Sequence, residues 1–317
     1  MSRIDSEPTP TDDAARAGWL YYLGGLTQDQ IAAELGVSRQ RAQRLVSKAM
    51  AEGLIQVRLN HRIGACLDLE QALRVKYALT RCRVAPALGA GLDAARGIAP
   101  AAAAELERFL RMPEPLVIAL GTGRAMRGMV DAMSPMEAEQ HRLVSLIGNI
   151  APDGSASFFD VVMRIADKVR APHYPMPVPV ISPTPEENAA FHALGPVQKV
   201  VGLARAADVI FVGVGQMSND APLLADGFVS RDELDEMQAA GAVGEVAGWV
   251  FDSAGRYLDL GTNRRTGGVR VAEGLARPAI GIAAGASKVR AIAAALQSRI
   301  LNGLITDEPT AAAILAL

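Results

Sequence analysis

The sequence predicts an α/β protein in which an N-terminal winged helix-turn-helix precedes a doubly wound parallel-sheet domain. Residues 26–60 carry the start and stop signals of a helix-turn-helix. Short apolar runs at 116–120, 209–214 and 279–283 then alternate with helical segments, as in parallel βα folds. The chain has 317 residues, half of them apolar, which suffices for one small and one large domain.

The helix-turn-helix is predicted from its capping residues. Thr27 can accept a backbone N–H at the start of a helix over 28–35. Gly36 permits the tight turn that follows, since glycine adopts a positive φ at little cost. Ser38 can cap the second helix, which is expected to continue to residue 52.

The second helix has the two faces expected of a recognition helix. Ala42, Leu45, Val46 and Ala49 recur at helical spacing and form the buried face. The opposite face carries Gln and Arg, which suit base edges, and Ser and Lys, which suit phosphates. The alternation LIQVRL over 54–59 predicts a wing strand. The predicted DNA-contacting residues are Thr27, Gln28, Ser38, Arg39, Gln40, Gln43, Arg44, Ser47, Lys48 and Arg58.

The charge distribution favours double-stranded DNA as a partner of the first domain. Residues 13–62 contain seven Lys or Arg and four Asp or Glu, a surplus of +3, whereas the whole chain is formally −2. The alternative is an ordinary amphipathic helical hairpin with a solvated polar face. That alternative leaves the paired caps, the glycine turn and the basic second helix unexplained.

Three segments are predicted: a disordered tail at 1–12, the DNA-binding domain at 13–60, and a larger domain at 61–317. The polar, acidic start lacks the apolar core of a signal peptide. No apolar run approaches the roughly 18 residues of a membrane span, so no membrane partner is expected. Cys66 and Cys82 are expected to be unpaired thiols in the reducing cytoplasm.

The remaining elements are predicted from periodicity and turn signals. Helical spacing predicts helices over 13–22, 67–79, 94–110, 125–133, 158–169, 196–206, 231–240, 287–301 and 308–315. Apolar runs of strand length predict strands over 83–87, 116–120, 143–147, 209–214, 248–252 and 279–283. The proline-rich segment up to Pro185 is expected to be extended or irregular.

Gly-rich loops follow several predicted strands, at the sheet edge where parallel folds bind ligands. In the loop Gly121, Thr122, Gly123 and Arg124, backbone amides, a hydroxyl and a guanidinium can meet an anion. The segment with Gly285, Ser287 and Lys288 places an ammonium at a helix start, where an anionic partner would offset the helix dipole. Structural turns and a solvated lysine are the alternatives.

Four further residues complete the predicted small-molecule site. Gly148 and Asn149 end a strand, Gln216 can bind sugar hydroxyls, and Glu245 can accept hydrogen bonds from a polyol. Glu245 could equally be a surface acid. No convincing catalytic set is present, so no catalytic residue, metal ligand or cofactor is predicted: the histidines lack ligand spacing, no G-x-S-x-G occurs, and GTGRAM lacks the third glycine of a dinucleotide fingerprint.

The chain resembles the SorC family of bacterial sugar-responsive transcriptional regulators over nearly its full length. The segments that carry the resemblance are WLYYLGGLTQDQIAAELGVSRQRAQRLVSKAMAEGLIQV, GTGRAM, DVIFVGVGQM, GAVGEVAGWVFDSAGR and GIAAGASKVRAIAAALQSRILNGLITDEPTAAAIL. The stretch LIGNIAPDGSASFFDVVMRIADKVRAPHYPMPVPV is similar to the branch that regulates polyol operons.

The resemblance implies an effector domain of the fold shared with glucosamine-phosphate deaminase, ribose-phosphate isomerase and CoA-transferases. It also implies homotetramers on operator DNA and an effector that is usually a phosphorylated sugar. By position, Thr122, Gly123 and Arg124 would form the effector loop, Glu245 would lie near the sugar, and Lys288 would meet the phosphate. Many members have Thr where this chain has Ala125, which leaves an unphosphorylated polyol possible.

We therefore expect a DNA-binding regulator of a carbohydrate or polyol operon, controlled by a sugar phosphate or polyol effector, and not an enzyme. One alternative is a sugar-phosphate isomerase or deaminase fused to a DNA-binding module, which the missing acid/base set disfavours. Another is a redox-sensing repressor that binds a dinucleotide at GTGRAM, which the absent third glycine disfavours.

Overall fold

The computed structural model describes residues 9–55, 64–89, 92–156 and 161–317. The chain forms two compact units, Met1–His61 and Arg62–Leu317. The division falls one residue from the predicted domain boundary.

The N-terminal unit is a bundle of three helices, α1 (Pro10–Tyr22), α2 (Gln28–Leu35) and α3 (Arg39–Ala51). The predicted start of the first helix, at residue 13, is three residues late. Thr9 and Asp12 form a reciprocal capping box and Pro10 occupies the first helical position, so residues 10–12 belong to the helix and not to the predicted tail. Residues 1–8 of that tail lie outside the described residues.

The turn between α2 and α3 has the predicted geometry. The Thr27 hydroxyl accepts a hydrogen bond from the backbone N–H of Gln30, and the Ser38 hydroxyl accepts one from Arg41. Gly36 ends α2 with a left-handed φ of 65°. The apolar face of α3 is buried as predicted, together with Ala14, Ala17, Leu20, Ile31 and Ala32. Most of the predicted wing strand, including Arg58, lies outside the described residues.

The larger unit is built from alternating strands and helices. Its strands are β1 (Arg81–Ala85), β2 (Val117–Leu120), β3 (Arg142–Ile150), β4 (His173–Pro179), β5 (Val209–Gly213), β6 (Gly215–Gln216), β7 (Ala242–Val246), β8 (Trp249–Asp252), β9 (Ala279–Ile282) and β10 (Gly303–Asp307). Its helices are α4 (Gly64–Tyr77), α5 (Ala94–Leu110), α6 (Arg124–Ala132), α7 (Val162–Val169), α8 (Pro185–His192), α9 (Gly195–Arg205), α10 (Pro222–Ala225), α11 (Arg231–Ala239), α12 (Gly261–Arg265), α13 (Val289–Gln297) and α14 (Glu308–Leu315).

Seven strands form one parallel sheet in the order β1-β10-β9-β5-β2-β3-β4. The sheet is buried on both faces, because successive residues of β5 enter different cores. Ile210 and Val212 join one apolar cluster, whereas Val209 and Phe211 join the other. The continuous apolar runs of the sequence reflect this two-sided burial. The predicted α/β class and parallel sheet are confirmed.

A second sheet was absent from the sequence prediction. Strands β6, β7 and β8 pair antiparallel in the order β6-β7-β8. Glu245 therefore lies inside strand β7, which precedes the strand predicted over 248–252. The strand is short, and its sequence AVGEV places Ala beside Val and Gly beside Glu, so it does not show the apolar alternation of a half-buried strand.

The structure makes three other local predictions more specific. The proline-rich segment, predicted to be extended or irregular, contains the extended strand β4 at the sheet edge, where a missing backbone N–H is tolerated, and helix α8 begins at Pro185 behind the capping residue Thr184. The helix predicted over 287–301 is a 3-10 turn (Ala286–Lys288) followed by α13. The helix predicted from residue 158 is described only from Val162.

Within the described residues, no helix is both long enough and apolar enough to cross a membrane.

Candidate functional site

The exposed face of α3 carries the side chains predicted to read DNA. Gln40, Gln43, Arg44 and Ser47 are exposed, and Lys48 is half-buried. The Arg44 Nε donates to the Gln40 carbonyl at 3.4 Å, which leaves the guanidinium at the helix surface. Lys48 Nζ lies 3.7 Å from the Glu52 carboxylate, one helical turn away. The face therefore presents amide and guanidinium donors to solvent.

Other predicted DNA-contacting residues have partners inside the module. Thr27 uses its hydroxyl in the α2 capping box, donating to Gln30 Oε1 at 3.0 Å. Arg39 lies 3.4 Å from Asp29 in an exposed ion pair, which is weak in water and can exchange for a phosphate. The side chain of Gln28 is partly exposed at the first position of α2.

A cavity of about 200 Å³ opens at the carboxyl ends of β2, β5 and β9. Thr122, Gly123 and Arg124 enter it from the loop after β2, Gly213 closes β5, and Ala284 follows β9. Ligands of parallel α/β folds bind at this edge of the sheet. Of the predicted effector residues, the cavity brings together Thr122, Gly123, Arg124, Glu245 and Lys288.

Arg124 is paired across the cavity mouth. Its guanidinium donates to Asp226 Oδ1 at 2.7 Å. Asp226 follows α10 directly, and its side chain is 15% exposed, whereas that of Arg124 is 54% exposed. The ion pair joins the start of α6 to the segment after α10. Asp226 did not emerge from the sequence, because a single acid after a short helix has no distinctive pattern.

Glu245 is held by backbone N–H groups on both sides. Its Oε2 accepts from Gly248 at 2.8 Å, and the Gly215 backbone N–H also hydrogen-bonds to the carboxylate. Any Cβ at Gly215 would lie 2.1 Å from Oε1, so only glycine permits this approach. The residue is open to the cavity but shielded from bulk water, and this desolvation raises the pKa of Glu245 despite the hydrogen bonds and the Lys288 charge.

Lys288 faces the same cavity from the 3-10 turn before α13. Desolvation lowers the pKa of its ammonium, and the Glu245 carboxylate acts in the opposite direction. Among the described residues, we find no hydrogen bond or ion pair within 4 Å for the Lys288 ammonium. A desolvated ammonium without a close protein partner is able to donate hydrogen bonds to a bound ligand.

Asp93 is another cavity residue that sequence reasoning missed. It precedes α5 and accepts a hydrogen bond from the backbone N–H of Ala95 at 3.0 Å, so it also caps that helix. The Asp93 charge raises the pKa of Lys288. A capping motif at the start of a predicted helix was the available signal, but it pointed to helix stability and not to a site.

The other predicted effector residues do not line the cavity. Gly121 packs against Val212, and Gly148 lies so close to the Pro179 carbonyl that a Cβ would meet it at 2.3 Å. Gln216 donates to Asp220 Oδ1 at 3.1 Å and its carbonyl accepts from Ser218, so it stabilises its own loop. Asn149 is half-buried in β3, beyond the cavity lining. Gly285, with a φ of 118°, and exposed Ser287 are sequence neighbours of the lining residues Ala284 and Lys288 but do not line the cavity themselves.

Comparison with known proteins assigns both units to families. Residues 61–316 match the family model described as "Putative sugar-binding domain", and residues 17–61 match the MarR family. The Brucella abortus protein named erythritol catabolism regulatory protein EryD is 35% identical over 302 residues, covering 95% of this chain and 96% of that protein.

The chain belongs to the SorC family of transcriptional regulators. Its match to the transcriptional regulator LsrR of Enterobacter sp. (strain 638) is 33% identical and covers 98% of this chain and 94% of that protein. The crystal structure of the full-length sorbitol operon regulator SorC from Klebsiella pneumoniae aligns with a TM-score of 0.72 and 26% identity, over 95% of this chain and 97% of that chain.

The SorC family chain is therefore a DNA-binding transcriptional regulator with a sugar-binding domain. The expectation that it is not an enzyme is supported, because these relatives are named as transcriptional regulators. The family assignment places the helix-turn-helix and the cavity in one regulatory protein.

Proposed function

We propose that this SorC family protein controls a polyol or carbohydrate catabolic operon, and that a polyol or sugar phosphate bound in the cavity changes its operator affinity. The observation that carries the proposal is the set of polar side chains at the carboxyl ends of β2, β5 and β9. Thr122, Arg124, Glu245 and Lys288 offer hydroxyl, guanidinium, carboxylate and ammonium groups to one small ligand. This mixture suits a molecule with several hydroxyl groups.

The relatives favour a polyol. The Brucella abortus protein is named for erythritol catabolism and the Klebsiella pneumoniae structure for the sorbitol operon, and both names refer to sugar alcohols. A cavity of about 200 Å³ fits a small effector of this kind. We therefore choose four-carbon to six-carbon polyols and their phosphate esters as the first compounds to test.

The proposed mechanism is a shift between two states of an oligomer, which we expect to be a homotetramer. The effector stabilises the state whose cavity it fits, and the paired recognition helices of that state hold the operator with a different affinity. Two copies of α3 on one operator would also supply more positive charge than the +3 surplus of one module. A dimer of modules reads two half-sites one helical turn or multiples apart.

The test is an operator-binding titration. The DNA upstream of the adjoining genes is labelled, its binding is followed by fluorescence anisotropy, and erythritol, ribitol, sorbitol and their phosphates are added in turn. We expect at least one compound to change the operator Kd by about fivefold or more, a coupling of about 1 kcal/mol. An unchanged Kd with every polyol, sugar and phosphate tested would overturn the proposal.

A further inference from the structure

The ion pair between Arg124 and Asp226 bears directly on whether the effector carries a phosphate. A phosphate-binding arginine must be able to direct its donors at the ligand. In this structure the guanidinium donates to Asp226 at 2.7 Å, across the cavity that the ligand would enter. A phosphate that used Arg124 would therefore compete with a carboxylate that is already in place.

The charges of the cavity wall also oppose a dianion. Two cations, Arg124 and Lys288, face three carboxylates, those of Asp93, Asp226 and Glu245, so the formal charge of the wall is −1. With Glu245 protonated, the formal charge of the wall is zero. The wall is therefore not positive whether Glu245 is ionised or protonated. A phosphate monoester adds about −1.5 to −2 at pH 7. The wall lacks the positive charge that would offset this in a site shielded from water.

An uncharged polyol fits the same groups without that conflict. The Asp226 carboxylate is a hydrogen-bond acceptor, and its Oδ1 accepts from Arg124. Within the part of the chain that the structure describes, we find no hydrogen bond to its Oδ2. That oxygen can accept a hydrogen bond from a hydroxyl, and Lys288 can donate one. Leu223 and Phe228 also line the cavity and give it apolar surface that a carbon chain can contact.

We propose that Asp226 is a specificity-determining residue that makes the cavity prefer an uncharged polyol over its phosphate ester. This inference rests on the proposed function, since it concerns the effector of the same cavity. Asp226 acts in two ways. Its charge neutralises that of Arg124. Its free oxygen accepts hydrogen bonds from hydroxyl groups, whereas a phosphate dianion has no proton to donate and is repelled by the carboxylate.

The test compares the affinities of erythritol and erythritol phosphate by calorimetry on the full-length protein and on Asp226→Asn. The wild-type protein should bind erythritol more tightly than its phosphate. Asp226→Asn releases Arg124 and removes one negative charge, so the affinity for erythritol phosphate should rise about tenfold, while that for erythritol should fall. Asp226→Glu, which keeps the charge, should retain the preference for the polyol.

Asp259→Asn is the matched control, because it removes one carboxylate from an exposed ion pair with Arg264 outside the cavity. It should leave both affinities unchanged, and thermal unfolding of each variant shows whether it is folded. A wild-type preference for the phosphate ester, or an unchanged ratio in Asp226→Asn, would overturn the inference while leaving the proposed function intact. If no polyol, sugar or phosphate bound the wild-type protein or altered its operator affinity, the proposed function would fail as well.

Discussion

At the scale of single residues, Glu245 shows how the cavity is built at a cost to stability. Its carboxylate is drawn out of bulk water by β6, β7 and the turn at Gly248, and desolvation outweighs the hydrogen bonds it accepts, so its pKa is raised. A core built only for stability would place an apolar side chain here. Perturbed acids in cavities are characteristic of functional sites.

The raised pKa of Glu245 predicts a stability effect whose sign depends on pH. The neutral carboxyl is favoured in the folded state, so its contribution to stability is full below the ordinary pKa of 4.5 and is lost as the pH rises through the raised value. Glu245→Gln keeps the shape without the charge. Its amide can accept only one of the two backbone N–H bonds, so the raised pKa predicts the pH trend of the difference from wild type: the urea midpoint of Glu245→Gln relative to wild type should be higher at pH 7 than at pH 4.

The same substitution should weaken effector binding by about 1.5–3 kcal/mol, the range for a hydrogen bond to a charged group. Glu137→Gln is a suitable control for both measurements, since Glu137 is 78% exposed in a surface ion pair with Arg170. A relative stability of Glu245→Gln that falls between pH 4 and pH 7 would contradict the raised pKa of Glu245.

Lys288 provides a second prediction at this scale. Lys288→Ala removes the cavity ammonium but changes no residue of the DNA-binding unit, so operator affinity without effector should stay the same. The effector concentration for half-maximal response should rise about tenfold or more, since one charge-assisted hydrogen bond is lost. Lys199→Ala, at an exposed position on α9, is the control. A normal response in Lys288→Ala would remove this residue from the site.

At the scale of secondary structure, α3 is the element on which operator recognition depends. Its apolar face is fully used in packing against α1 and α2, so the side chains of the outer face are available to DNA. Arg44→Ala should weaken operator binding by about 1–3 kcal/mol if the guanidinium reads a base. Lys48→Ala should instead reduce the slope of log operator affinity against log salt concentration by about one, as expected for the loss of one phosphate contact.

Anisotropy titrations at several salt concentrations distinguish these two effects. Operator and unrelated DNA are compared, because a base contact changes specificity and a phosphate contact does not. Equal loss on both DNAs for Arg44→Ala would place base reading elsewhere on α3.

The glycine turn between α2 and α3 predicts a pair of opposite stability effects. Gly36 has a φ of 65°, so Gly36→Ala should destabilise the DNA-binding unit by about 1 kcal/mol. Gly202 lies in the middle of α9 with an ordinary helical φ and open space around it, so Gly202→Ala should stabilise the larger unit by about 0.5–1 kcal/mol. Urea denaturation of each variant measures the free energy of unfolding. Effects of the same sign would contradict the backbone argument.

Local sequence signals predicted most elements, and the reasons for the exceptions are physical. The bounds of α2, α5 and α14 match the prediction because caps, glycines and helical spacing all agree there. Strands β4 and β7 were missed because prolines in one, and small residues in the other, remove the apolar alternation that identifies a strand. Strand β4 is held by parallel pairing with β3 across a long connection that contains α7, which local sequence patterns do not reveal. Strand β7 is held by antiparallel pairing with β8 across the short turn at Gly248, which the turn signals of the sequence did not identify as a hairpin.

The residues of the cavity were predictable only in part, because some of them follow strands in sequence and others do not. Thr122, Gly123, Arg124 and Lys288 lie in or directly after the segments that connect β2 and β9 to the next helices, so the topology of a parallel sheet brings them together. Asp93 and Asp226 reach the cavity from segments whose position depends on tertiary packing. The sequence therefore indicated the cations of the site and missed two of the three carboxylates that face them.

At the scale of the whole molecule, the protein joins a weakly basic DNA-binding unit to a larger sensing unit. A surplus of about three positive charges supports only modest DNA affinity for a single DNA-binding unit. Several such units held in one oligomer bind the same DNA with a higher overall affinity. We expect the full-length protein to be a tetramer by light scattering, and to bind an operator with two half-sites more tightly than one half-site. A monomer with equal affinity for both DNAs would contradict the proposed mechanism.

The most direct test of the central claim is the response of operator binding to an effector, measured on wild type and Lys288→Ala in parallel. Labelled operator is held at constant salt while erythritol or another polyol is titrated. We expect a saturable change in the wild-type operator Kd, and in Lys288→Ala a change that requires much higher effector concentrations. An operator affinity that no polyol, sugar or sugar phosphate alters would contradict the central claim.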